Sequence, residues 1–438
     1  VTANVVIALG TLVAMLVFIY CGMHVAVTLG VLSLAGVWLL KSDFGIAANL
    51  LAQAASDAIA SHVFGVVPLF VLMGLLVAHA DVGKDAFEVA NQLFRRLRGG
   101  LGVATVAANA VFAAITGISI ASAAVFTRVS VPEMLRFGYS PRFAVGVVAG
   151  SSVLGMLIPP SLLFILYGFL TNQSVGALFT AGILPGVLLA LAYAVAIVVG
   201  ARWFPGWLGA PQADAGGATM GAGTMLAKLL PSLLLIGLCL GGIYAGAFTA
   251  TEGGAVGAAL ALAVALARRR LTWRRFWQVL IETGHVTVSI SFLIICANVY
   301  TRMLAMSGTP QFIVGALADA GLGPYGFLVI YVALVLLLGT IVDSSSILLI
   351  CLPLVLPIVE AFQMNLVWFG VLTVIAIEVG LLTPPFGLSA YVIHSTLNDP
   401  RVTLGDIFRG AFPFACIMIA ALALVIAFPQ ISLALLKT

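Results

Sequence analysis

The 438-residue sequence predicts an all-α polytopic membrane protein built from two inverted copies of one helical unit, each with a re-entrant hairpin and an interrupted helix. Three observations lead there. Apolar residues make up 63% of the chain and charged residues 8%, against about 45–50% and 25% in soluble domains, so there is too little polar surface to face water. At roughly 20 apolar residues per crossing, this length supplies about ten spans with their connections. Motifs of the first half also recur 225 positions later: Gly83 with Gly308, Phe87 with Phe312, Ser119 with Ser344, Pro132 with Pro357, Gly155 with Gly380, and Pro159-Pro160 with Pro384-Pro385. Such internal symmetry marks membrane proteins assembled from repeats.

Apolar runs bounded by polar or glycine-rich punctuation lie near 4–20, 25–40, 62–80, 101–127, 143–171, 182–201, 229–248, 252–267, 279–300, 326–358, 365–395 and 411–428. The first run lacks a basic n-region and an A-x-A cleavage pattern, and reads as a retained span. The stretch from Gly206 to Gly223 is the least hydrophobic and the richest in Gly and Ala, which places a linker at 206–228 between the halves. On this division 1–61 and 229–278 carry scaffold helices, 62–205 is repeat 1 and 279–438 is repeat 2. Runs 101–127 and 326–358 read as hairpins that dip in and return, and 143–171 and 365–395 as broken crossings.

The basic residues indicate which way each copy faces. At the 225-residue offset Arg95, Arg96 and Arg98 fall opposite Ala320, Gly321 and Gly323, and the cluster Arg268 to Arg275 falls opposite Asp43 to Leu50. The copies are therefore expected to be inverted. With Arg95 in the cytoplasm, ten crossings result and both termini lie outside. Sixteen of the 19 basic residues are then cytoplasmic, leaving only Lys41, Arg302 and Lys437 outside, as the positive-inside rule requires.

Several function classes are excluded. No GxxxxGK[ST] phosphate loop is present, so ATP is not hydrolysed by that device. The net charge of +4 comes from dispersed loop anchors, which argues against a nucleic-acid partner. Cys21, Cys239, Cys296, Cys351 and Cys416 are scattered singly and read as small core residues. His24, His62, His79, His285 and His394 show no metal-ligand spacing and read as core or interface residues.

Two pairs of motifs could carry chemistry. Thr116-Gly117-Ile118-Ser119-Ile120-Ala121-Ser122 and Gly339-Thr340-Ile341-Val342-Asp343-Ser344-Ser345-Ser346 interrupt apolar runs with small, hydroxyl-bearing residues. Irregular backbone at membrane depth is tolerated only where it is buried in protein or lines a cavity. Its free carbonyls and hydroxyls are hard oxygen ligands for a small cation, while half-helix N-termini suit an anion. The plainer alternative is that Ser and Thr bond back to their own helices. Gly155-Met156-Leu157-Ile158-Pro159-Pro160-Ser161 and Gly380-Leu381-Leu382-Thr383-Pro384-Pro385-Phe386-Gly387 form the second pair. Each proline removes a backbone donor and clashes with the carbonyl four residues back, so two in succession interrupt a helix. That leaves either a packing kink or one ion site per half, with broken helix and hairpin tip paired and substrate between the two sites. Ser119, Asp343, Ser344, Ser161 and Ser389 are the polar groups expected to meet that substrate.

A carboxylate at mid-membrane costs about 2.5–3.5 kcal/mol. Asp343, within a hairpin tip, reads as a site residue, with a helix cap as the alternative. Glu252 in Thr249-Ala250-Thr251-Glu252 reads as a cap, and Glu378 is open to either role.

In their order and spacing these segments resemble the large membrane subunit (DctM-like, M subunit) of tripartite ATP-independent periplasmic (TRAP) transporters. The resemblance rests on AITGISIASAA with VPEMLRFGYSP, GMLIPPSLLFILYG, FTATEGGAVGA, and LLTPPFG after the Asp343 segment. It implies an elevator-type secondary transporter in the bacterial inner membrane, not an enzyme, importing a small organic anion such as a C4-dicarboxylate or sugar acid. Sodium is the implied coupling ion, with no other cofactor. The implied partners are a small membrane subunit (Q type) and a periplasmic substrate-binding protein (P type). One sodium site would draw on Thr116, Gly117, Ser119, Ser122, Gly155, Ile158 and Pro159, and the other on Gly339, Asp343, Ser344, Ser345, Gly380, Thr383 and Pro385. Ile118 stands where the family often has a second Ser, and Ser389 where Asn is common. Two rival readings remain: a passive anion channel, and an intramembrane serine hydrolase using Gly117-Ile118-Ser119-Ile120-Ala121 with His285 or His394 as base.

Overall fold

The computed structural model describes residues 3–60, 65–209, 220–385 and 387–436; His62, Phe386 and Lys437 lie outside the described residues. The first half folds as α1 (Ala3–Tyr20), α2 (Val25–Lys41), α3 (Phe44–Ala60), α4 (Val66–His79), α5 (Val82–Phe94), α6 (Gly100–Thr116), α7 (Ser119–Arg136), α8 (Pro141–Ser152), α9 (Leu154–Leu157), α10 (Leu162–Thr171) and α11 (Val175–Trp203). A short α12 (Pro205–Leu208) follows. The second half begins with α13 (Ala222–Leu235), prolonged by a π-helical turn, Ile236–Leu240, into α14 (Gly241–Tyr244). It continues through α15 (Ala250–Ala267), α16 (Trp273–Ser307), α17 (Thr309–Asp319), α18 (Pro324–Gly339), α19 (Ser344–Ala361), α20 (Leu366–Leu381), α21 (Leu388–Leu397), α22 (Leu404–Ala427) and α23 (Gln430–Leu433).

The 225-residue offset of the motifs extends to whole elements. Shifted by it, α2 overlays α15, α7 overlays α19, α8 with α9 overlays α20, α10 overlays α21 and α11 overlays α22. The separate α3 and α4 correspond to the single 35-residue α16, inside which the division at 278/279 falls.

Among the described residues, eight helical segments are long and apolar enough to cross a membrane: α1, α8–α10, α11, α13–α14, α15, α16, α19 and α22. The number reaches ten if the bent pairs α4–α5 (61°) and α17–α18 (120°) each count as one span. The chain is a multi-pass membrane protein. Burial separates an inner layer from an outer one. The α8–α10 segment is 83% buried and α19 72%, against 22% for α1 and 33% for α11, α15 and α16. In α20 every residue from Val367 to Leu381 is buried, as expected of a helix that is apolar all round. Broken helices and hairpins therefore form the centre, and α1, α11, α13 and α16 turn Val13, Leu191, Leu233 and Val288 outward.

Ion pairs mark the two ends. Asp85 on α5 pairs with Arg268 and Lys228, Glu88 pairs with Lys228, and Asp81 with Arg270 at 3.2 Å. Along α16, Trp273 and Arg302 are about 44 Å apart at 1.5 Å per residue, more than the ~30 Å of a hydrocarbon core. Arg302 therefore sits at the opposite end from Arg268, paired with Asp57 at 2.6 Å beside Asn172 and Gln173.

Some expectations are corrected. α7 runs to Arg136 rather than stopping near 127, and α13 starts at Ala222, inside the expected linker. The helices α3, α5 and α17 were not visible as apolar runs, because short amphipathic helices dilute a span-length window. In α5 the buried Val82, Gly83, Ala86, Phe87 and Ala90 alternate with Lys84, Asp85 and Glu88. Cys21 and Cys416 are exposed, so only Cys239, Cys296 and Cys351 are core residues.

Candidate functional site

The first hairpin turns at Gly117, whose φ of +66° is a left-handed conformation that glycine adopts without strain. Its N–H closes α6 onto Ala113 O at 3.2 Å, and after an extended Ile118 the helix α7 begins at Ser119. The second hairpin leaves α18 at Gly339 and re-enters a helix through Asp343, the N-cap of α19. The Asp343 carboxylate accepts from Ser346 N at 3.1 Å and from Ser346 Oγ at 2.5 Å.

Each tip touches the broken helix of its own half. Gly117 O accepts from Leu162 N at 3.2 Å across the Pro159-Pro160 break, and a Cβ on Gly117 would lie 2.4 Å from Pro160 O. A Cβ on Gly155 would meet the backbone of Ile118 and Ser119 at 3.0 Å. In the second half Gly339 and Gly380 face each other so closely that a Cβ on either would lie 2.6 Å from the other's Cα. The halves also brace each other: α10 packs on α19, and α21 packs on α7.

Between the tips lies Glu378, completely buried on α20. Ser119 Oγ donates to its Oε2 at 2.8 Å, and Ser344 Oγ contacts Oε1 at 3.4 Å. These serines are the first residues of α7 and α19 and match at the 225-residue offset, whereas Glu378 matches Val153. One acid therefore serves a duplicated pair of hydroxyls.

A cavity of about 730 Å³ opens in front of both tips. Ile118, Ile120, Asp343, Ser344 and Ser345 line it on the hairpin side, and His24, Glu282, His285 and Ser289 line it on the α2 and α16 side. Its volume lies within the usual ~300–1,000 Å³ of a small-molecule site.

The expected site residues divide by location. Asp343 and Ser344 line this cavity; Ser119, Ser161 and Ser389 are buried outside its lining. Ser161 acts as the N-cap of α10, accepting from Phe164 N at 3.3 Å and donating to Met156 O at 2.5 Å. Thr116 and Thr383 bond back to Phe112 O and Val379 O. Ser122 Oγ and Ser389 Oγ are buried without a hydrogen-bond partner among the described residues. Ile158 and Pro159 lie in a sheltered break, while Pro384 and Pro385 are exposed. Asp343 is thus a helix cap and a cavity-lining carboxylate together. Glu252 is a cap, in a box with Thr249 whose N–H donates to Glu252 Oε2 at 2.8 Å.

His24 and His285, read as core or interface residues, face the cavity instead, and Glu282 was not singled out. For Glu282 and His285 a signal was available: polar residues three apart within the apolar run of α16 are candidates for a water-filled face.

Residues 12–431 match the family described as tripartite ATP-independent periplasmic transporter, DctM component. The chain belongs to the DctM family. This DctM-family chain is 34% identical over 380 residues to the C4-dicarboxylate TRAP transporter large permease protein DctM of Pseudomonas aeruginosa, covering 84% of this chain and 85% of that protein. It is 30% identical over 429 residues to the sialic acid TRAP transporter large permease protein SiaM of Vibrio cholerae, covering 97% of each. In fold alone it is similar to the YdaH transporter of Alcanivorax borkumensis, with a TM-score of 0.60 over 87% of this chain and 88% of that one at 12% identity. DctM-family proteins are transporters, and this one is a transport protein rather than an enzyme. In keeping with that, the Ser119 proton goes to Glu378 and not to a histidine.

Proposed function

We propose that the chain is the large subunit of a sodium-coupled importer of a small organic anion, working by elevator-type alternating access in a bacterial inner membrane. The observation that carries the proposal is the convergence of two hairpin tips, each seated on its own broken helix, at one cavity. The small membrane subunit and the periplasmic binding protein are the partners of this scheme. The binding protein would deliver a carboxylate of the kind named for the relatives, a C4-dicarboxylate or a sugar acid.

The cavity chemistry supports an anion carried with cations. Among the described residues its lining includes Asp343 and Glu282 but no Lys or Arg, so a carboxylate entering it needs positive charge brought from elsewhere. Bound sodium supplies that charge. The helix α7 adds a positive N-terminal dipole, and its N-cap residue Ile118 makes no side-chain cap bond, which leaves first-turn N–H groups free for the anion. Proteoliposomes containing all three components should accumulate substrate only under an inward sodium gradient; uptake undiminished without sodium would defeat the proposal.

The inverted arrangement places the Arg268–Arg270 loop in the cytoplasm and the Asn172 loop outside. The opposite ends of α16 to which these loops belong support it. Single cysteines introduced at Arg270 and Asn172 should label from opposite sides of the membrane with an impermeant maleimide. Labelling from the same side would remove the inversion.

One sodium site draws on Thr116, Gly117, Ser119, Ser122, Gly155, Ile158 and Pro159, and the other on Gly339, Asp343, Ser344, Ser345, Gly380, Thr383 and Pro385. The unpartnered Ser122 hydroxyl fits this assignment, since a buried orphan oxygen costs about 1–3 kcal/mol unless something binds it. Ser122→Ala should therefore have effects of opposite sign. Without sodium the variant melts at or above the wild-type temperature, and the stabilisation that sodium gives the wild type shrinks. A wild-type sodium-dependent thermal shift in Ser122→Ala would exclude this hydroxyl as a ligand.

A further inference from the structure

We propose that Glu378 is a shared positioning residue that orients Ser119 and Ser344 as sodium ligands and thereby couples the two ion sites. The inference rests on the sodium reading above and adds a device to it.

A serine hydroxyl has one proton and two lone pairs. When Ser119 donates that proton to Glu378 Oε2, its lone pairs are left free for an ion between the Gly117 tip and the broken helix at Gly155. Ser344, approaching Oε1, is left free in the same sense for an ion between the Gly339 tip and the broken helix at Gly380. Outer groups of this kind commonly fix the orientation and basicity of metal ligands, and removing them costs about 10–100-fold in affinity. Here both hydroxyls lean on one carboxylate, on separate oxygens, so a displacement at either tip is felt at the other. Ser119 and Glu378 are 259 residues apart in the chain and Ser344 and Glu378 are 34 apart, so the acid joins the first half to the second.

The charge points the same way. Among the described residues Glu378 makes no ion pair, and its two side-chain partners are neutral hydroxyls. A buried carboxylate is either neutralised or paired, and two cations seated at the tips would pair it from both sides. Either ion then finds the acid better placed once the other is bound. By linkage the gain is the same in both directions.

In Glu378→Gln the side chain keeps its size, but its amide nitrogen can only donate. One of the two serines must then turn round and accept, which takes up one of its lone pairs and turns the hydroxyl away from the orientation that suits the ion. Titrating detergent-purified whole protein with radioactive sodium should give a cooperative curve for the wild type. In Glu378→Gln the half-saturating concentration should rise about tenfold and the Hill coefficient should fall to 1. Glu378→Asp keeps two acceptor oxygens and should retain part of the cooperativity, which a purely structural role would not produce. A Glu378→Gln curve superimposable on the wild type would overturn the inference while leaving sodium coupling intact. A wild type that binds no sodium would overturn both. Should Glu378→Gln fail to assemble, Ser119→Ala and Ser344→Ala carry the test: each alone should weaken both ions. Loss of one ion with the other unaffected would overturn the coupling.

Discussion

Replacing Gly380 with valine should reduce sodium-driven uptake to background. Its Cβ would lie 2.6 Å from Gly339 Cα and 3.3 Å from Leu336 O, whereas carbon atoms in contact prefer about 3.5–4.0 Å. Both neighbours are backbone, so no rotamer change relieves the clash, and the second hairpin must move off its broken helix by about 1 Å. Overpacking of this kind costs about 1–3 kcal/mol, enough to lower the melting temperature without preventing insertion. The larger consequence is functional, because the oxygen ligands of the proposed second sodium site, spread over α18, α19 and α20, would no longer meet. Gly315→Val on α17 is the matched control. A Cβ there has nothing within 4 Å, and its uptake should stay near wild type. Normal uptake by Gly380→Val would show that the contact between tip and broken helix is dispensable.

Asp343→Asn should lower the ceiling of accumulation rather than the amount of folded protein. The asparagine oxygen can still accept from Ser346 N, so the cap of α19 survives, while the charge facing the cavity is lost. A tenfold sodium gradient supplies about 1.4 kcal/mol per ion, and 100 mV supplies about 2.3 kcal/mol per net charge moved. Two sodium ions carried with a monoanion therefore give about 5 kcal/mol, a several-thousand-fold accumulation. If the charge change empties one site, transport becomes electroneutral and the ceiling falls to about tenfold. Steady-state accumulation in proteoliposomes reads this directly. Asp343→Ala removes the cap as well and should cost about 1 kcal/mol of stability beyond the same functional loss. Wild-type accumulation by Asp343→Asn, with only Asp343→Ala impaired, would reduce Asp343 to a cap.

The parts of the site legible in the sequence were those with local chemistry. The twin Pro-Pro pairs interrupt helices through their own backbone chemistry, Gly117 stands among small hydroxyl-bearing residues where a break is easy, and Thr249 with Glu252 forms a capping box from four consecutive residues. Asp343 was legible as a carboxylate in a tip, yet its two roles could not be separated, since a cap and a cavity wall present the same residue in the same string. Ser161 was expected at the substrate; its capping of α10 could not be read from spacing, which does not say which way a hydroxyl turns after a break. Glu378 remained open because its partners come from two different hairpins. His24 and His285 gave no signal as a pair, being brought to one cavity by the packing of α16 on α2.

The membrane class, the recurrence of motifs at a 225-residue offset and the places where apolar helix breaks could be read from the chain alone, because hydropathy, proline and glycine act on the backbone within a few residues of where they stand. That Gly339 meets Gly380, that Leu162 holds Gly117, and that one acid lies between Ser119 and Ser344 emerges only when the chain is folded. Those contacts join residues from 34 to 259 positions apart wherever Glu378 is involved. They depend on how helices pack in three dimensions, which no local pattern of side chains records.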